Sequence, residues 1–164
     1  MISILTMFAL TNKFIMIDEP LTTSEISGFI LERTAKRMKQ FFQQQLSAAD
    51  ADVTIDQWIV LQSLQEEDGL SQLAIANATF KDAPTVTRII DLLCKKKLTR
   101  REPDTNDRRR FNIRLTTAGH QKIAAVMPVI RQARKQAWGG LNETEIDQLV
   151  STLNQVFENI NMQS

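Results

Sequence analysis

Along residues 24 to 46 apolar positions recur at helical spacing: Ile26, Phe29, Ile30, Met38, Phe41, Phe42 and Leu46, with Arg33, Lys36, Arg37 and Lys39 between them. Steps of three and four residues return to one side of an α-helix, so the pattern predicts a long amphipathic helix. Thr54, followed three positions later by Gln57, is a capping-box arrangement that opens a second helix with Trp58, Ile59, Leu61 and Leu64 as its buried face. Asp68 and Gly69 break that pattern, and Ser71 can cap a short helix over "QLAIANA". "FKDAPT" interrupts again before "VTRIIDLLCKKK" resumes helical spacing. Pro84, just after a cap at Asp82, sits in a first turn, where its missing N–H costs nothing.

After Leu98 the period changes to two. "LTRRE" and "RFNIRL" read as short strands joined by the turn-forming "PDTNDRR", with Phe111, Ile113 and Leu115 facing a core and a charged tip in water. Thr116 then caps a long helix through Ile123, Val126, Met127, Ile130, Ala133 and Ala137, which Pro128 should kink. "GGLNETE" ends it. Asn142 and Glu145 form a second capping box, and Ile146, Leu149, Val150, Leu153, Val156, Phe157 and Ile160 mark a final amphipathic helix. The stripes on the first and the last two long helices exceed what one small domain covers. They predict burial against a second copy in a two-fold homodimer.

Three helices followed by a two-stranded hairpin is the order of a winged helix-turn-helix, whose third helix enters the DNA major groove while the hairpin reaches sideways. The expected fold is therefore mainly α: a winged helix-turn-helix DNA-binding lobe with long N- and C-terminal dimerisation helices. Its expected divisions are an apolar extension over 1–23, an N-terminal dimerisation helix over 24–50, the DNA-binding lobe over 51–116 and C-terminal dimerisation helices over 117–164. On a wheel of about 100° per residue, Val86, Ile90 and Leu93 share one face of the third helix. Pro84, Arg88, Asp91 and Lys95 lie opposite, flanked by Thr85, Thr87 and Leu92. Arg88 can fork onto guanine, and the threonines can hydrogen-bond to bases or touch thymine methyls. The bland alternative is a solvated Arg88 paired with Asp91 three residues on.

Charge favours the first reading. The net charge of +1 is segregated: residues 81–114 hold 11 Lys and Arg against 5 Asp and Glu, and the rest holds 9 against 14. A basic patch on an otherwise acidic chain points to an anionic partner met on one face. Lys95, Lys96 and Lys97 suit the negative end of a helix dipole as well as an anionic ligand. Arg108, Arg109 and Arg110 at a hairpin tip repel one another, a cost most simply offset by phosphate or by a narrow minor groove.

The segments "TIDQWIVLQSL", "KDAPTVTRIIDLLCKKKLTRR" and "DRRRFNIRLTTAG" resemble the MarR family of bacterial transcriptional regulators. The last is similar to that family's wing signature of Asp, any residue, Arg, then a strand ending Leu-Thr and a glycine. The resemblance spans roughly residues 24 to 160. It implies that Thr85, Thr87 and Arg88 belong to the recognition helix; Lys95, on the same outward face by the wheel, is also expected to meet DNA. It further implies that Arg109 enters the minor groove, that Asp107 orients it, and that Arg108 and Arg110 contact the backbone. Regulators of this type act as homodimers on pseudo-palindromic sites, and many are released by a small anionic or phenolic effector held between dimerisation helices and DNA lobes; whether this chain has one stays open here. One departure from the pattern stands out: the usual glycine after the recognition helix is Lys97, so the turn into the wing must form without a residue that accepts positive φ cheaply.

Rival readings have less to stand on. Cys94 excludes an internal disulfide and a Cys-rich zinc site, and as a thiol redox sensor it competes with its role as a small buried hydrophobe. His120, the one histidine, has no Ser-His-Asp, Cys-His or H-E-x-x-H context, so neither catalysis nor a metal or other cofactor is expected. A winged helix that binds protein instead of DNA is the remaining alternative, since a fold does not dictate its partner. In the first 17 residues Lys13 interrupts the apolar run, and there is no basic n-region or cleavage pattern. A cytoplasmic protein without a membrane anchor is expected, its leading segment being an arm on a partner subunit or the product of a misassigned start.

Overall fold

Helix starts are set by side chains that satisfy the orphan N–H groups of a first turn. In the computed structural model, which describes residues 22–104 and 110–162, Thr22 and Glu25 close such a box at the head of α1 (Thr23–Ala48), where the Thr22 N–H donates to Glu25 Oε2 at 2.6 Å. Thr54 and Gln57 do the same for α2 (Ile55–Glu66) at 3.1 and 3.2 Å. Ser71 heads α3 (Gln72–Thr79), and Asp82 heads α4 (Ala83–Lys95) with Pro84 in its first turn. Thr116 caps α5 (Thr117–Ala137), and Asn142 with Glu145 caps α6 (Glu143–Asn161). The caps expected at Thr54, Ser71, Asp82, Thr116 and Asn142 are all formed. Pro128 lies inside α5 without ending it.

The chain separates into two units, Met1–Met38 and Lys39–Ser164. In the first, the described part is the leading portion of α1, where the Arg33 guanidinium lies 6.0 Å from the Phe29 ring centroid. The apolar extension singled out in the sequence lies outside the described residues up to its last positions.

In the second unit, β1 (Leu70–Ser71), β2 (Thr99–Pro103) and β3 (Phe111–Leu115) form an antiparallel sheet of order β1-β3-β2. Thr99 faces Leu115 at one end of the β2–β3 ladder and Pro103 faces Phe111 at the other. β1 went unread in the sequence because two residues cannot display an alternation. It forms because Gly69, at φ +83°, turns the chain so that its N–H reaches the Ile113 carbonyl at 3.1 Å.

The core gathers Trp58, Val60, Leu61 and Leu64 of α2, Ile75 of α3, Val86, Ile90 and Leu93 of α4, Ile113 and Leu115 of β3, and Ile123, Val126 and Ile130 of α5. Two expectations need correction. Ile59 is 36% exposed, while Val60 is fully buried. Packing against α3, α4, α5 and β3 covers most of the circumference of α2, and the outward strip left over contains Ile59. Phe111 is 46% exposed: it pairs with Pro103 at the outer end of the β2–β3 ladder and lines an open surface pocket with Gln72 and Leu73 of α3.

α6 buries nothing: Leu149, Val150, Leu153, Val156, Phe157 and Ile160 are each between 37% and 61% exposed. Phe157 meets Phe80 edge to face, with ring centroids 5.6 Å apart.

Candidate nucleic-acid interface

α4 turns one apolar face inward through Val86, Ile89, Ile90 and Leu93 and leaves Pro84, Arg88, Asp91 and Lys95 exposed. Its first turn is tightly organised. Asp82 Oδ1 accepts the Thr85 N–H at 2.8 Å, and Oδ2 accepts the Thr85 hydroxyl, also at 2.8 Å. Those two bonds hold the Asp82 carboxyl below the usual carboxylate range. The Thr87 hydroxyl donates back to the Ala83 carbonyl at 2.9 Å.

The far end of α4 closes as a Schellman motif. The Lys97 N–H reaches the Cys94 carbonyl at 2.9 Å and the Leu98 N–H reaches the Leu93 carbonyl at 2.9 Å, with Lys97 itself at φ +58°. The position where a glycine is usual in the family pattern is thus left-handed here, and a lysine bears the strain. Phe80 plays the same part after α3, at φ +50°, with the Lys81 N–H on the Ala76 carbonyl.

The geometry sorts the basic window into two groups. Arg101 pairs with Asp91 at 2.7 Å, so Asp91 joins the reading helix to β2 instead of partnering Arg88. Arg100 and Arg114 face each other across the β2–β3 ladder, a like-charge pair that Glu102 resolves by accepting from Arg100 Nε at 2.8 Å and from Arg114 Nε at 2.6 Å. These contacts, Arg100 first, lower the Glu102 carboxyl. Arg114 also donates to Asp68 Oδ2 at 3.1 Å, while Asp68 Oδ1 accepts the Leu115 N–H at 2.9 Å. Asp68 and then Glu102 raise the Arg114 guanidinium above its ordinary value. Near the start of α2, Lys81 and Lys39 both reach Asp56, at 2.6 and 3.0 Å.

Lys96 is spent inside the molecule as well. Its ammonium binds the Asp52 carbonyl and carboxylate, which fastens the end of α4 to the loop between α1 and α2, and the Asp52 carboxyl is lowered in consequence. Five cations of the window, Lys81, Lys96, Arg100, Arg101 and Arg114, therefore hold the lobe together. Among the described residues Arg88, Lys95 and Lys97 make no ion pair. Arg110 stands at the foot of β3 beside Phe111, exposed. Asp107, Arg108 and Arg109 lie outside the described residues.

The outward face of α4 lies where the helical wheel places it, but Arg101 and Arg114, counted in the sequence with the basic patch, are tied down at the root of the hairpin. Part of the signal was present: Glu102 stands two residues after Arg100, on the same side of a strand, where the two can pair. The remaining candidates are ordinary. Cys94 is half-buried with Sγ 3.4 Å from Thr99 Oγ1, and His120 is exposed at the head of α5 with Nδ1 3.1 Å from Gln65 Oε1. Among the described residues no cluster of His, Cys, Asp and Glu could hold a metal, and no helix is long and apolar enough to cross a membrane.

Comparison with known proteins agrees with this geometry. The MarR family profile matches residues 51–110. The HTH-type transcriptional repressor NicR of Pseudomonas putida is 32% identical over 126 residues, 77% of this chain and 78% of that protein. The structure is similar to that of Bordetella bronchiseptica BpsR, described for regulation of its DNA binding by 6-hydroxynicotinic acid, with a TM-score of 0.73, 30% identity, and coverage of 80% of this chain and 98% of that one. It is also similar to S. aureus MepR in complex with DNA, with a TM-score of 0.72, 30% identity, and coverage of 85% and 99%. With the profile match and a repressor 32% identical over most of both chains, the winged helical fold has its family: the chain belongs to the MarR family and is a DNA-binding transcriptional regulator, not an enzyme.

Proposed function

We propose that two copies of this chain bind a pseudo-palindromic operator and repress transcription from it in the cytoplasm. Residues 51–116 form the reading lobe in this account, while 24–50 and 117–164 supply the dimerisation helices. The uncovered apolar stripe of α6 supports the second copy, since a stripe of that extent on a lone chain would be left in water. A two-fold dimer sets its recognition helices about one DNA turn apart. Thr85, Thr87 and Arg88 enter the major groove. Arg109, oriented by Asp107, enters the neighbouring minor groove, and Lys95, Arg108 and Arg110 meet phosphates.

The observation that carries this reading is the Arg88 side chain, exposed and without an ion pair on the face of α4 opposite the core, while Arg101 beside that face is tied to Asp91. Operator duplexes isolated from genomic DNA by the purified protein test it. Binding should weaken steeply as salt rises, and Arg109→Ala should lower affinity on operator and random DNA alike. Binding indifferent to salt and to Arg109→Ala would favour a protein partner for the winged helix.

A small aromatic carboxylate or phenol is the proposed effector, supported by the likeness to BpsR and the ligand described for that protein. Adding 6-hydroxynicotinic acid to the operator complex should release DNA. A complex that neither this acid nor related aromatic acids and phenols perturb would remove the sensor role.

A further inference from the structure

Which bases the helix can read depends on which of its polar atoms are still unspent. Carboxylates and carbonyls only accept, so the bonds from Thr85 Oγ1 to Asp82 Oδ2 and from Thr87 Oγ1 to the Ala83 carbonyl fix where both hydroxyl protons lie. Neither threonine has a proton left to donate to a base edge. Turning the Thr85 hydroxyl toward DNA would strip a partner from the Asp82 carboxylate at the tip of the helix, where phosphates already repel it.

Among the described residues Arg88 is thus the donor in the middle of the face; the acid beside it, Asp91, is held by Arg101, and its neighbours toward the start of the helix are apolar. Pro84 lies four residues before Arg88 and Thr85 three before, so the two adjoin it on one side, while Leu92, four residues after, lies on the other. Pro84 is exposed, and Leu92 is 43% exposed although the core side of α4 lies opposite. In the major groove the apolar feature that identifies a base is the thymine 5-methyl, and the paired acceptors suited to a guanidinium are guanine O6 and N7.

We infer that each half-site is read as a guanine, bound by Arg88, beside a thymine whose 5-methyl packs against Pro84 and the Thr85 methyl, with no proton donated to the bases by Thr85 or Thr87. The inference rests on α4 being the major-groove helix and goes further by fixing what its neighbours to Arg88 recognise.

The test uses full-length protein and duplexes that it selects from random sequence. Each thymine of the selected half-site is replaced in turn by deoxyuridine, which removes the methyl and leaves the pairing edge intact. At a thymine adjoining the guanine that Arg88→Ala no longer selects, the replacement should lower affinity about fourfold, the cost expected for one buried methyl. Thr85→Val, which keeps a methyl and loses the hydroxyl, should preserve that preference, and Thr85→Ser, which does the reverse, should weaken it. Indifference to uracil at every thymine, or loss of the preference in Thr85→Val with retention in Thr85→Ser, would overturn the inference while leaving selective DNA binding in place. Wild-type protein that enriches no sequence at all would instead overturn the DNA-reading face itself.

Discussion

α4 and α6 have the same kind of sequence, apolar positions every three or four residues with polar ones between, and they end in opposite situations. α4 places Val86, Ile89, Ile90 and Leu93 under 6% exposure, and its other side is left to meet something polar. α6 places none of its apolar residues inside, although Leu149, Leu153, Val156 and Phe157 are as regularly spaced. One helix finds its hydrophobic partner within the chain and looks outward for its ligand. The other leaves its hydrophobic side uncovered within the chain, and a second copy is what we propose covers it. Periodicity therefore reports that a face will be covered, and says nothing about whose atoms cover it.

This contrast can be broken at either helix. The largest effect is expected from Leu153→Asp, which puts a charge in the α6 stripe. Sedimentation should show the two-copy form dissociating, and operator affinity should fall by about two orders of magnitude or more as the half-sites lose their linkage. A protein that stays dimeric with that change would mean the stripe is covered by something else. Arg88→Ala leaves dimerisation alone and should cost about 1–3 kcal/mol of discrimination between operator and random duplex, measured by competition binding. An equal loss on both would make Arg88 a phosphate contact.

Smaller effects sharpen the idea that the lobe around α4 is self-contained. Lys97→Gly relieves a side chain held at positive φ and should raise stability to denaturant by about 1 kcal/mol. The smallest effect concerns Asp56. Burial raises its carboxyl, but hydrogen bonds from Lys81 and Lys39 outweigh this and leave it below the ordinary value of 3.8. A carboxyl depressed in the folded state contributes stability that is complete above the unfolded value and lost as pH falls through the folded one. Unfolding curves taken from pH 5 downward should therefore show a decline below about pH 4 that Asp56→Asn flattens.

Much of this fold was legible because its punctuation is chemical. Thr54, Ser71, Asp82, Thr116 and Asn142 announce their helices through hydrogen bonds to backbone only two or three residues away, so no distant partner had to be known. Ile59 and Phe111 were misjudged for the opposite reason. Their exposure depends on where neighbouring elements stop, which local spacing does not encode. The reading face followed from one helical wheel. The wing root did not, because Arg114 is joined to Asp68 across 46 residues of sequence, and a composition count treats a bolted-down guanidinium like an available one.

Gly119 has a mechanical consequence. A Cβ there would collide with the Leu98 carbonyl oxygen, which accepts both the Thr116 N–H at 3.1 Å and the Thr116 hydroxyl at 3.2 Å. Leu98 stands between the closing turn of α4 and the first residue of β2, so the head of α5 is fastened at the junction of the two. A tilt of α5 would carry α4 and the hairpin together, like two teeth cut on one gear, and in the proposed dimer it would alter the span between half-sites.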